Sequence, residues 1–513
     1  MRPPPIPMAN TSALFAPTAR VRRLNEAEAQ PKRRYVLYWM TSFRRTRYNF
    51  ALQHALAHAH QLGLPLLVWE PLRAGYDHAS MRHHTFVIEG MQDNARACAE
   101  AGVAYLPWVE PQPGAGAGLL KHLANDAALV VTDDWPGFFV PKMLASAAKQ
   151  IHVRLEAVDS TGLMPLSLVP KAFARAMDFR RYLQKELTPH LREMPLVDPL
   201  QHARALPRLA LPAVPRSWTS TTATLLGAVD RRALTQALEG LPVDRAVGAV
   251  SVRGGPVEAS QRAADFVLQR LPRYATERSE PMSDASSGLS PWIHFGHVSV
   301  HELLHLIGRQ ENWTPAKMSL KANGSKDGWW GMGASAEGFM DELVTWRELG
   351  HVYNWHHGER YDYEALPEWA RATLDGCAKD ERAHLYSYEQ LEQARTHDPL
   401  WNAAQRQLLR EGVIHNYLRM LWGKKVVEWT TSPRQALEYM LRLNNRWAID
   451  GRDPNSLSGI YWCLGRYDRP WAPKRPVFGS IRWMSSTNTA KKFDTKAYVQ
   501  AYGATQPQAG LYD

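Results

Sequence analysis

Between residues 35 and 158 the chain alternates short apolar runs, at 35–40, 65–70, 103–109, 129–132 and 153–158, with stretches of helical length such as 46–62 and 81–101. The runs are apolar throughout rather than at every second position, the pattern of strands covered on both faces. This part is therefore predicted to be α/β, a Rossmann-like parallel sheet with helices on both sides. From Val257 onward the period changes. Apolar residues recur at three- and four-residue spacing in 258–271, 336–355, 399–430 and 433–443, which predicts an all-α C-terminal half. Between the two, residues 194–256 shift to Pro, Ala, Leu, Thr and Ser, with Pro195, Pro199, Pro207, Pro212 and Pro215 close together. That composition predicts a connection carrying one or two short helices. The expected division is an α/β domain over 33–165, a linker over 166–256 and a helical domain over 257–500. No internal repeat is visible, and residues 503–513 read as a short loose tail.

Length agrees with this division, because single cores stop growing at roughly 250–300 residues and the chain has 513. With 45% hydrophobic and 22% charged residues the composition is that of a soluble globular protein. The first 23 residues lack the apolar core of a signal peptide, and no segment offers the ~18 uninterrupted apolar residues of a membrane span. A cytoplasmic protein without membrane contact is expected. Three cysteines, Cys98, Cys377 and Cys463, are too scattered for a metal knuckle or a disulfide framework.

Charge and tryptophan are less ordinary. The formal net charge is +11, and from Trp401 to the C-terminus 17 basic residues face 8 acidic ones. A basic C-terminal surface points to a polyanionic partner. Of 19 tryptophans, 14 lie between Leu289 and Trp483, more than a helical core needs as filler.

Several local patterns bear on chemistry. Gly114-Ala-Gly-Ala-Gly118, with Asp133 about 20 residues on, imitates a dinucleotide fingerprint, but its third glycine is misplaced, so a loop is expected. His54, His58, His60 and His351, His356, His357 lack both the HExxH arrangement and a cysteine pair, and read as core or solvated histidines. The run 450–455 misses calcium-loop spacing, and no metal site is expected. Ser286-Ser-Gly-Leu-Ser290 before Pro291 either caps a helix or offers donors to phosphate oxygens. Phe339, Glu342 and Trp346, spaced by three and four, share one helix face, where a carboxylate between aromatic rings can bind the edge of an extruded base. Trp422 and Trp429 lie two turns apart, with Trp401 one helix earlier; indoles in sequence can relay electrons or simply pack a core.

The segment from about Leu289 to Asp494 resembles the class II photolyases of the photolyase/cryptochrome family over its whole length. The matching phrases are Leu289-Ser-Pro-Trp-Ile-His-Phe-Gly-His-Val-Ser299, Glu337-Gly-Phe-Met-Asp-Glu-Leu-Val-Thr-Trp-Arg-Glu-Leu349, Thr396-His-Asp-Pro-Leu-Trp-Asn-Ala-Ala-Gln405, Leu418-Arg-Met-Leu-Trp-Gly-Lys-Lys-Val-Val-Glu-Trp429, Leu443-Asn-Asn-Arg-Trp-Ala-Ile-Asp-Gly-Arg-Asp-Pro-Asn455 and Lys474-Arg-Pro-Val-Phe-Gly-Ser-Ile-Arg-Trp-Met484. Tyr38-Trp-Met and Asn49-Phe-Ala-Leu52 look like the family's antenna domain, while Arg44-Arg-Thr-Arg47 is more basic than that domain usually is.

The resemblance implies FAD held in the helical half. Ser286, Ser287, Gly288, Leu289 and Ser290 would take its phosphates, with Tyr274 and Phe339 nearby. Arg419 and Asp450 match an ion pair beside the isoalloxazine, and Asn444 matches the residue facing flavin N5. Trp422, Trp401 and Trp429 match an electron relay in that order from flavin to surface. Glu342, Trp346, Met420 and Trp462 match the walls of the lesion pocket. Lys424, Lys425, Arg452, Arg466, Arg469, Arg482, Lys491 and Lys492 would grip phosphates. The implied activity is light-driven repair of cyclobutane pyrimidine dimers in UV-damaged DNA by a monomer without an obligate protein partner. An antenna chromophore of deazaflavin or folate type is an open expectation. The alternatives are a cryptochrome-like photoreceptor, a (6-4) photolyase relying on His294 and His297, and a nucleic-acid binder without cofactor.

Overall fold

The computed structural model describes residues 14–503. Six strands form one sheet: β1 (Val21–Arg23), β2 (Tyr35–Trp39), β3 (Leu66–Leu72), β4 (Ala104–Val109), β5 (Ala127–Asp133) and β6 (Leu155–Val158), in the order β1-β6-β5-β2-β3-β4. The five predicted strands are all present, paired in parallel with registers such as Val36↔Leu66, Leu67↔Ala104, Leu37↔Val130 and Val130↔Leu155. Every residue of β2, β5 and β6 is buried, which is why their sequences are continuously apolar. The purely parallel expectation needs one correction. β1 runs antiparallel on the β6 edge, with Val21↔Val158 and Arg23↔Glu156. Three residues of intermediate or exposed character carry no periodicity from which to read it.

The order reverses between β2 and β5, where open α/β sheets leave a ligand crevice. Here the crevice is filled. The buried Asp133 carboxylate, at the end of β5, accepts the backbone N–H groups of Thr41, Ser42 and Phe43 at 2.7–2.9 Å and the Tyr38 hydroxyl at 2.7 Å. Asp133 thus serves the loop after β2, which removes the acidic partner of the apparent dinucleotide fingerprint. Residues 114–118 form turns, with Gly114 and Gly118 at φ +86 and +80.

Helices cover both faces. Asn49 caps the Phe50–Leu62 helix through Ala51 and Leu52 N–H, and Gly63 at φ +65 ends it. Ser80 caps the Met81–Ala101 helix, whose first turn crosses to the helical half. Arg82 donates to the carbonyls of Leu408 and Leu409, and His83 Nε2 lies 3.0 Å from the Ala448 carbonyl. The basic Arg44 and Arg45 are structural. Arg44 pairs with Glu70 at 3.0 Å, and the buried Arg45 donates to the carbonyls of Tyr48 and Gly296.

Residues 166–256 contain three helices, Ala176–Glu186, Arg216–Leu226 and Arg231–Leu238. The first of these buries Phe179 and Leu183 in the same core as Tyr274 and Phe339. The C-terminal half is helical, as its period predicts, with one break unforeseen in 399–430. Pro399–Glu411 and Asn416–Glu428 are separate helices, parted at Gly412 with φ +71. Two aromatic-rich cores fill this half, and the Pro454–Cys463 helix packs against Arg347–His357. They meet at Gly350, where a Cβ would lie 2.5 Å from the Pro454 carbonyl oxygen. Among the described residues no helix is long and apolar enough to cross a membrane.

Candidate active site

The site begins with a buried polar knot. Arg419, on the Asn416–Glu428 helix, donates to both carboxylate oxygens of Asp450 at 3.0 and 3.2 Å, to Ser456 Oγ at 2.8 Å and to Asn444 Oδ1. Asn444 Nδ2 donates to Ser456 Oγ at 3.0 Å and to Asn445 Oδ1 at 3.1 Å. A guanidinium cannot deprotonate, so it fixes the orientation of both the carboxylate and the amide. Ser456 completes the knot and was missed by sequence reasoning, since it lies 37 residues from Arg419 on another helix.

One turn beyond Arg419, Trp422 stacks on Trp401 with rings 6.4 Å apart and 3° from parallel. Trp401 in turn meets Trp429 edge-on at 5.5 Å. Indole hydrogen bonds hold the stack: Trp401 Nε1 donates to the Trp422 carbonyl at 3.0 Å, and Trp422 Nε1 to Gln405 Oε1 at 2.8 Å. Trp401 therefore touches both other rings. The expectation that Trp429 reaches the surface needs correction, because it is only 1% exposed. Lys425, Tyr386 and His397 cover it at 5.3–5.4 Å.

Phe339, Glu342 and Trp346 lie on a continuous helical stretch from Ala334 to His357, but Asp341–Trp346 is wound as a π-helix rather than the α-helix that the spacing predicts. At the start of the wider turn Asp341 is held by Arg180 at 2.7 and 2.9 Å from the Ala176–Glu186 helix. Glu342 accepts a hydrogen bond from Arg278 Nη1 at 2.8 Å, and Arg278 lies over the Tyr274 ring. A third of the Glu342 side chain is open, yet the surrounding protein still raises its pKa by desolvation, with Arg278 opposing. Tyr274 packs edge-on against Phe339 at 5.5 Å, and burial pushes its hydroxyl up to about 12. Arg278, 64 residues from Glu342, has no sequence signal that could have found it.

The run from Ser286 to Ser290 lies on a bend leading into the short Ser290–His294 helix. No side chain caps that helix; Ser287 Oγ accepts from the Leu289 N–H at 3.4 Å, so local bonding accounts for that hydroxyl but not for those of Ser286 and Ser290. Gly288 has φ +64, with open space where a Cβ would stand. His415, immediately before the Arg419 helix, lies beside the Arg278 backbone, its ring nitrogens without a side-chain partner.

Trp462 and Met420 are half-buried, Trp462 packing against a different core from Trp346. Arg482 lies over Trp462 and Trp471 at 5.6 and 4.0 Å and pairs with Asp468. Several predicted phosphate contacts are corrected. Lys424 is wholly buried under Trp462, donates to the Cys463 carbonyl at 2.8 Å and has its pKa lowered by burial to about 8. Lys425 pairs with Glu428 under Trp429. Arg452 lies between Tyr76 and Phe138, and Arg466 between Tyr353 and Tyr461. Their positions on inward faces are invisible to a charge count. Arg469, Lys491 and Lys492 are exposed.

The architecture is that of the photolyases. It resembles the class III photolyase of Agrobacterium tumefaciens with a TM-score of 0.65, covering 92% of this chain and 86% of that one at 17% identity. At the level of sequence the chain is 32% identical over 481 residues to the deoxyribodipyrimidine photo-lyase of Methanothermobacter thermautotrophicus, covering 94% of this chain and 97% of the relative. It is 32% identical to the enzyme of that name from Potorous tridactylus, covering 93% and 83% of the two chains, and 31% to that from Oryza sativa subsp. japonica, covering 90% and 86%. The chain belongs to the deoxyribodipyrimidine photo-lyase family and is an enzyme of that family. No protein-family model matches it.

Proposed function

We propose that this enzyme repairs cyclobutane pyrimidine dimers in DNA with light and FAD, as a class II photolyase. The observation that carries this reading is the recessed Glu342 carboxylate, held by Arg278 one π-turn from Trp346, in a chain whose relatives bear the photo-lyase name along nearly its whole length.

The residues fit the cofactor. No helix cap engages the hydroxyls of Ser286 and Ser290, Gly288 leaves open space where a Cβ would stand, and the buried ring nitrogens of His415, beside the Arg278 backbone, have no partner among the side chains. Ser286 to Ser290, with Tyr274 and Phe339, would hold FAD along its length, and Arg419, Asp450 and Asn444 would face its ring system. Bound, reduced and excited by blue or near-ultraviolet light, FAD would supply an electron that opens the two bonds of the cyclobutane ring and returns afterwards, with no net redox change.

The protein's share is orientation. Arg419 and Ser456 fix the Asn444 amide in one orientation, so beside a bound flavin it would not have to reorganise. Glu342 accepts hydrogen bonds from base edges while Trp346 and Trp462 take the bases by stacking, at roughly 1–3 kcal/mol per base. Extruding an already damaged pair costs a few kcal/mol, which stacking offsets. The indoles at 422, 401 and 429 would serve to return a bound cofactor to its reduced form rather than act in each repair cycle. A (6-4) specificity is disfavoured by the placement of both candidate histidines: His294 pairs with Asp453 at 3.1 Å, and His297 is buried with its Nδ1 accepting from the Gly255 amide at 3.0 Å.

The test is direct. Prereduced enzyme is mixed with a dimer-containing oligonucleotide, and thymine absorbance is followed in light and in darkness. Recovery in light alone is expected; recovery in darkness, or none in light, would falsify the proposal.

A further inference from the structure

His54 and His58 occupy successive turns of the Phe50–Leu62 helix, and Glu156 lies on β6, beside the β1 edge. All three are buried. His54 Nε2 and His58 Nε2 stand 3.0 and 2.9 Å from the same oxygen, Glu156 Oε2, and 3.2 Å from each other. Three donor atoms from two elements thus close a triangle with nearly equal sides. A tetrahedral zinc ion with bonds of ~2.0–2.1 Å separates its ligands by about 3.3 Å, close to the size of this triangle. Donor chemistry points the same way, since two imidazoles and a carboxylate suit a borderline divalent ion.

We propose that His54, His58 and Glu156 bind a divalent transition-metal ion of the zinc class, a structural site in the α/β half remote from the repair chemistry. Water would complete the coordination. Phe15 lies edge-on to both imidazoles, at 5.3 and 5.1 Å, and shields the site from one side. Arg154 stands 3.9 Å from Glu156 Oε1 and is itself neutralised by Glu28 at 2.6 Å, leaving Oε2 to the metal. One contact must change. The Ala16 amide donates to His54 Nδ1 at 3.3 Å, and a ring that ligates through Nε2 carries its proton on Nδ1. Loading therefore turns the Ala16 amide away. The site joins the helix to the sheet edge, which a sequence pattern could not reveal, because Glu156 lies 98 residues after His58.

Purified full-length enzyme, stripped with a chelator, reloaded with zinc sulfate and dialysed against a weak competitor, is assayed by plasma mass spectrometry and by melting. About one zinc per chain is expected, with a rise in Tm on loading. H54Q, H58Q and E156Q should fall to background and lose the zinc-dependent rise, while H152Q, an exposed histidine elsewhere, keeps both. E156Q retains an acceptor for both imidazoles, and its flavin content and circular dichroism report whether it is folded. Zinc at wild-type level in all three variants, or background zinc in the wild type with an unmoved Tm, overturns the proposal. The cluster is then a closed clamp in which two imidazole N–H groups donate to one carboxylate.

Discussion

At the scale of single residues, position decides what each charged or aromatic group can do. Glu342 is open by a third and, among the described residues, is hydrogen-bonded to Arg278 alone, the partner that the proposed reading has it exchange for a base edge. Replacing it with Ala removes one charge-assisted hydrogen bond, worth roughly 1.5–3 kcal/mol, and should weaken dimer binding about ten- to a hundredfold. Flavin absorbance should stay unchanged, a pair of readings that titration and spectroscopy give separately. Trp422→Phe should slow photoreduction of oxidised enzyme at least about tenfold, yet leave repair by chemically reduced enzyme near wild type; loss of both would remove Trp422 from the relay. Lys424 shows the opposite use of charge. A pKa lowered from 10.5 to about 8 means that holding the ammonium under Trp462 costs roughly 3 kcal/mol. Between pH ~8 and ~10.5 the unfolded chain binds the extra proton, so this penalty is present in full below the window and disappears as pH rises through it. Wild-type stability should therefore gain on that of Lys424→Met between about pH 7 and 10, measured by denaturant melts.

At the scale of elements, the close crossing of Arg347–His357 over Pro454–Cys463 connects the two helical cores. Gly350→Ala places a methyl group against the Pro454 carbonyl and should cost about 1–3 kcal/mol, seen as a lower Tm. The buried strands were legible in the sequence because each is covered on both faces, and the helices because their apolar period is unbroken. Where legibility failed, the reason was either a partner distant in sequence or a local break that periodicity does not register. β1 is a strand only because β6 pairs with it. The π-turn begins at Asp341, which is paired with Arg180, 161 residues earlier. Gly412 parts two helices although the apolar period runs through it. The residues proposed for flavin and dimer were singled out through family phrases rather than through periodicity, and Arg278 and Ser456, which hydrogen-bond to Glu342 and Arg419, lie outside those phrases.

At the scale of the molecule, the net charge of +11 is less available than its sum implies, since Lys424, Lys425, Arg452 and Arg466 are buried. The cations left on the surface near the Trp471 and Trp483 rings include Arg469, Lys474 and Arg475, with Lys491 and Lys492 further along. Affinity for dimer-containing duplex should fall linearly on a log–log plot against salt, by about 0.9 per phosphate contacted. Replacing Lys491 and Lys492 with Ala should lower the slope by up to about 2 if both touch phosphate. Lys425→Ala, by contrast, should leave the slope unchanged. Filter binding across a salt series separates the two classes.

The Met81–Ala101 helix covers the sheet along its length and anchors its first turn in the backbone carbonyls of the helical half. Cutting the chain between the halves would strand Arg82 and His83 without acceptors on one side and expose those carbonyls on the other. The two halves should therefore melt as one cooperative unit, giving a single calorimetric peak rather than two. A gene fragment encoding the helical part alone should therefore yield insoluble protein, and exchanging the α/β part would require a graft that restores both the Arg82 anchor and the Arg45 contact to the Gly296 carbonyl.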